Sequence, residues 1–120
     1  MFPPAVVNLQ IYQGATFNEQ FVWQTGNPAT AVDLTGFTMR MQIRSKIKDP
    51  AIIIELNMTN GGIAIDDAVN GVFSLNISAT QTASLSFNVG FYDIDVTAPD
   101  GITVYRLMGG QVSFSLEVTR

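Results

Sequence analysis

The chain has 120 residues, 47% of them hydrophobic and only 13% charged, with a formal net charge of -4 and neither cysteine nor histidine. That length points to one domain, residues 1–120, whose core needs no staples. The missing residue types exclude disulfides and the side chains that dominate zinc, copper and haem ligation.

The opening residues, Met1-Phe2-Pro3-Pro4, read as part of an extended arm over residues 1–6. They lack the basic and apolar regions of a secretion signal, and no apolar run nears the ~20 residues of a membrane span, so the expectation is cytoplasmic synthesis with no membrane partner. Val7, Leu9 and Ile11 alternate as a first strand, and Gln13-Gly14 ends it. Phe17, Glu19, Phe21 and Trp23 share the next strand's apolar side, which makes Glu19 the odd member, expected at a strand end or along the rim. Gly26-Asn27-Pro28 and Asp33-Leu34-Thr35-Gly36 are turns by composition, with Asp33 placed to accept from amides just ahead.

Phe37 to Arg44 alternates without a fault, with Phe37, Met39, Met41 and Ile43 on one face and Thr38, Arg40, Gln42 and Arg44 on the other. Ser45 to Pro50 is a charged, solvated loop, after which Ile52, Ile54, Leu56 and Met58 should face inward. Asn60-Gly61-Gly62 reverses the chain, Ile63 and Ile65 form a short strand, and Asn70-Gly71 signals a tight hairpin into Phe73, Leu75 and Ile77. Ser78 to Leu85 is the single helical candidate, capped by Ser78 or Thr80. Tyr92, Ile94 and Val96 face inward in a further strand, Pro99-Asp100-Gly101 turns, and Val104 to Met108 pairs back. Gly109-Gly110 bends or bulges the chain before a last strand carrying Val112, Phe114, Leu116 and Val118. Eight or nine short strands separated by turn chemistry predict an all-β, antiparallel β-sandwich with one short helical turn. It is immunoglobulin-like in architecture only, since the cysteine and tryptophan spacing of antibody domains is missing.

Paired carboxylates, Asp66 with Asp67 or Asp93 with Asp95, do not make a glycosidase: neighbours on a strand diverge, and nothing near Asp93 and Asp95 predicts the burial that would raise one pKa. Asp66, Asp67 and Asn70 offer oxygen ligands for calcium, although the turn itself accounts for them. Any serine nucleophile lacks a histidine base, and Ser45-Lys46 are sequence neighbours that point apart. No glycine-rich loop leads from a strand into a helix, so no cofactor is expected. Arg40, Arg44, Lys46 and Lys48 concentrate positive charge that suits an acidic partner surface or a solvated sheet face. The acidic balance argues against nucleic acid as a partner, and the weakly charged surface suits a chain held among other subunits. Tyr12, Trp23, Tyr92 and Tyr105 form a sugar platform only if several are exposed, and Trp23 and Tyr92 alternate in step with the core.

The pieces Tyr12-Gln13-Gly14-Ala15-Thr16-Phe17, Phe21-Val22-Trp23 and Val32-Asp33-Leu34-Thr35-Gly36-Phe37, followed by Met39 to Arg44, set up a resemblance that covers nearly the whole chain. Gly71 to Ile77, Ser78 to Ala83, Tyr92 to Val96 and Glu117 to Arg120 continue it. In this order they resemble small bacteriophage and prophage structural proteins of tails and baseplates, including N-terminal modules similar to those of baseplate proteins that carry receptor-binding components. The resemblance implies a non-enzymatic virion subunit, a homo-oligomer in the particle, whose partners are tail, baseplate or fibre proteins. The family pattern transfers no catalytic residue. Phe2, Pro3 and Pro4, in the arm, would then add a strand to a neighbour's sheet. The alternative expectation is a head-decoration or carbohydrate-binding module using exposed aromatics or the Asp66 loop.

Overall fold

A computed structural model describes residues 5–119. Eleven strands and one helix follow in order: β1 (Ala5–Val6), β2 (Leu9–Tyr12), β3 (Phe17–Val22), β4 (Gln24–Thr25), β5 (Thr30–Ala31), β6 (Thr38–Arg44), β7 (Ile54–Asn57), β8 (Ile63–Asp67), β9 (Val72–Ile77), α1 (Ala79–Ala83), β10 (Val89–Thr97) and β11 (Val104–Ser115). A six-stranded sheet runs β1-β11-β10-β6-β7, with β2 sharing the β11 edge with β1. A three-stranded sheet runs β3-β9-β8, and β4 and β5 form a separate hairpin. The fold is therefore an all-β sandwich.

Alternation dictates which residues meet between the sheets. Met39, Met41 and Ile43 of β6, Tyr92, Ile94 and Val96 of β10, and Phe73, Leu75 and Ile77 of β9 are all buried, as their period of two requires. Trp23 is buried as well, edge-on to Phe37 at 5.9 Å and to Tyr105 at 6.4 Å, and Phe21 stacks on Phe73 at 5.6 Å. Ser78 caps α1 through a reciprocal box with Gln81, and the buried Thr82 hydroxyl donates 2.9 Å to the Ala15 carbonyl, tying the helix to the β2–β3 turn. Asp33 accepts from the Thr35 amide and hydroxyl, and Asp100 from the Ile102 and Thr103 amides, so both predicted turns form through the chemistry read from them.

Several expectations need correction. The opening strand is broken at Val7-Asn8, and both halves run parallel to β11, with Ala5 opposite Met108 and Leu9 opposite Val112. The bulge of the last strand falls at Leu107, between the pairs Ile94–Met108 and Asp95–Arg106, so that Leu107 and Met108 are both buried; the register passes unbroken through Gly109 and Gly110. That strand stops at Ser115, leaving Leu116 and Val118 exposed. Ile52 is also exposed, because β7 begins only at Ile54. Of the two places expected for Glu19, it takes the rim and not a strand end: it sits mid-strand, in solvent, because β3 is an edge. At Asn70-Gly71 only Gly71 takes positive φ, at 71°, and its amide donates to Ala68, so the hairpin closes through a longer turn than the two-residue type.

Candidate interaction surface

Cross-strand partners share a face, so the residues between the buried ones define the outer side of the six-stranded sheet. Arg40, Gln42 and Arg44 of β6 stand opposite Asp95, Asp93 and Phe91 of β10, and those in turn oppose Arg106, Gly109 and Gln111 of β11. Val6 pairs with Gly109 at the sheet border. Because Gly109 has no side chain, the middle of this face is sunken. A groove of about 510 Å³ opens there, with Val6 and Ile47 among its walls and Phe91, Arg44, Asp93 and Arg106 along it.

The groove is chemically mixed. Val6 is 83% and Ile47 77% exposed, an unusual presentation for aliphatic side chains that sit on one hollow. Between them the charges are held by specific partners. Arg44 donates from one guanidinium nitrogen to the Asp49 carbonyl at 2.7 Å and from another to Gln42 Oε1 at 2.7 Å. Gln42 passes its own amide proton to Glu55 at 2.8 Å, and Glu55 also pairs with Arg40 at 3.0 Å and accepts from Asn57. Those donors, Gln42 first, then Asn57 and Arg40, hold the Glu55 carboxyl down at about 2. Arg106 approaches Asp93 at 3.6 Å. Asp95 is shifted upward, chiefly by desolvation on the sheet face and then by the like charge of Asp93, with Arg106 and Arg40 pulling the other way. This corrects the expectation that no carboxyl of the Asp93–Asp95 pair would be raised.

The border of the groove is locked by one tyrosine. Tyr92 lies opposite Gly110, and its hydroxyl crosses that glycine to donate 2.5 Å to the Val7 carbonyl at the break between β1 and β2. Burial pushes the phenol well above its ordinary value, so it stays a neutral donor. Asn8 completes the break by accepting the Gln111 amide on its side chain at 3.0 Å.

The sequence-derived residues separate in space. Arg44 belongs to the groove, Arg40 is paired on the neighbouring row, and Lys46 and Lys48 are exposed in the loop after β6. Glu55 and the Asp49 carbonyl thus interrupt the predicted positive cluster. Phe2, Pro3 and Pro4 lie outside the described residues, while Ala5 and Val6, also assigned to the arm, are paired with the chain's own β11. Asp66 accepts from Gln20 and Asp67 from Asn70, so the calcium candidates are engaged by different amides. Among the described residues no group of three acidic, histidine or cysteine side chains is placed to hold a metal. Ser45 donates to Asp49 at 2.7 Å rather than meeting Lys46. Of the aromatic residues, Tyr12 is exposed, whereas Trp23 and Tyr92 are core. Val6, Ile47, Phe91 and Arg106 were not singled out from sequence, and the clue was the pair Gly109-Gly110 in a strand, which marks a close backbone approach or a missing wall.

Fold and surface together define the chain as an all-β sandwich with a glycine-floored groove on its larger sheet. No family model matches the chain, and no curated protein matches it.

Proposed function

We propose that the chain is a non-catalytic structural subunit of a bacteriophage particle, an adaptor that joins tail, baseplate or fibre proteins. The observation that supports this best is the pairing of exposed Val6 and Ile47 across one groove with guanidinium and carboxylate groups between them. Apolar walls lose water on docking, and a rim of both signs fixes register against a protein partner. The sparse overall charge agrees with a chain that spends its life covered by neighbours. A sugar-binding role draws less support, since Trp23 and Tyr92, two members of the possible stacking platform, are buried.

The test is purification of particles from host cells producing the phage, followed by mass spectrometry for this chain and a parallel glycan array with the isolated protein. The chain should be recovered in particles, and Ile47→Asp with Val6→Asp should leave the isolated fold intact while removing it from them. Recovery only in the particle-free supernatant, or selective glycan binding, would overturn the reading.

A further inference from the structure

Three borders of the two sheets are filled or interrupted along their backbone, and one is not. On β7, the Asn60 side chain fills the place of a neighbouring strand, accepting the Asn57 amide and donating to the Glu55 carbonyl, each at 3.0 Å. On β8 the register shifts between Ile65 and Asp67, and the adjoining Ala68 carbonyl is taken by the Leu34 amide. The border made by β1 and β2 is interrupted at Val7-Asn8. Strand β3 runs from Phe17 to Val22 with no register shift or proline, and its one charge, Glu19, leaves the backbone groups of the border open.

The phase of its open groups follows from one hydrogen bond. Trp23 donates to Gly71 at 2.8 Å in the same register that pairs Val22 with Val72, so odd-numbered residues exchange bonds with β9. Asn18, Gln20 and Val22 therefore direct their N–H and C=O groups away from the sheet, and no described residue takes them. Their side chains do not screen that border: Asn18 donates to Asn76 and Gln20 to Asp66, both toward the strand's own sheet.

We propose that two copies of the chain join antiparallel through β3 about a two-fold axis at Gln20, merging their small sheets. In that register Gln20 faces its mate and Asn18 faces Val22 of the second copy. Every open pair of β3 is used, at two hydrogen bonds per facing pair. Glu19 then lies opposite Phe21, whereas a shift that centres the axis on Glu19 sets two carboxylates face to face. A shift centred on Phe21 leaves Asn18 without a partner inside the strand. Pairing also covers Val22, which is 53% exposed in the single chain. The inference rests on the reading of the chain as an assembly subunit and names one of its partners.

The chain has no cysteine, so a single introduced thiol reports the geometry without background. Facing residues in a bonded pair lie ~5.5 Å apart at Cα, within disulfide range, while Asn18 and its mate would be separated by roughly 14 Å. Purified Gln20→Cys, concentrated and mildly oxidised, should convert mainly to covalent dimer, and Asn18→Cys should not. Gln20→Pro, which removes an edge N–H that the fold does not use, should keep the circular dichroism of the parent and stay monomeric by light scattering. Monomeric Gln20→Cys under oxidation, or equal cross-linking of Asn18→Cys, would overturn the proposal, and either result does so even if the proline variant fails to fold. Because purified chain is used, failure here leaves recovery in particles as a separate reading.

Discussion

Replacing Gly110 by alanine tests how the groove's border is held. A Cβ built there would lie 2.5 Å from the Val7 carbonyl oxygen, 3.0 Å from its carbon and 2.9 Å from Asn8 Oδ1. Two of these are backbone atoms, so the strands must part. Parting weakens the Tyr92–Val7 bond, the Val7 amide bond to Gly109 and the Asn8 bond to the Gln111 amide. Each contributes about 1 kcal/mol net, and overpacking itself costs about 1–3 kcal/mol, so a loss of roughly 3 kcal/mol follows if the border yields partway. For a domain of this size that lowers Tm by roughly 10 °C. Gly101→Ala is the control: φ is +74° there and nothing lies within 4 Å of the added carbon, so only about 1 kcal/mol of backbone strain is expected. Tyr92→Phe isolates the hydroxyl and should cost about 1 kcal/mol. Calorimetry of the three variants decides. If Gly110→Ala melts no lower than Gly101→Ala, Gly110 is not what allows the close approach, and the account of the Tyr92 crossing fails.

Further outcomes concern charge and caps. The Glu55 carboxyl, held at about 2, ionises below its unfolded value, so its contribution to stability is full above about pH 4.3 and fades as pH falls through the folded value. Its side-chain carbon shift in an NMR titration should stay flat down to about pH 3, and a midpoint near the ordinary glutamate value would sink the Gln42–Asn57–Arg40 cradle. Asp95 has the opposite sign: raised in the fold, it makes stability decline as pH rises from its unfolded toward its folded value. Asp95→Asn should therefore leave Tm at neutral pH unchanged or higher, and a fall of several degrees would refute that sign. Ser78→Ala removes the cap accepting the Gln81 amide and should cost about 1 kcal/mol in a urea melt, with an unchanged midpoint counting against the box.

The interior was legible because it depends on a local period. Met39 to Ile43, Phe73 to Ile77 and Tyr92 to Val96 could be assigned to the core without knowing their neighbours, since each segment declares its own two faces. The same rule failed at Leu116 and Val118, where alternation continues past the last partner strand, and at Ile52, where it begins before the first. Pairing direction is not a local property. Nothing between Val7 and Ile11 indicates that they run parallel to a strand about a hundred residues away. The groove was hidden for the same reason: Val6, Phe91 and Arg106 are unremarkable alone and become neighbours only through the registers of β1, β10 and β11. Arg44 was found because charge density is visible in a row of letters. Its loss of freedom to Gln42 and Asp49 was not, because that depends on where the following loop folds back.

Placing the first strands against the last has a consequence for vectorial synthesis. Leu9 and Ile11 are partnered by Val112 and Phe114, which leave the ribosome about a hundred residues later. Until then the nascent chain carries an unsealed border along β10 and an unclaimed apolar segment in β2. That interval gives a host holdase its best opportunity to bind, and it closes only when β11 has emerged.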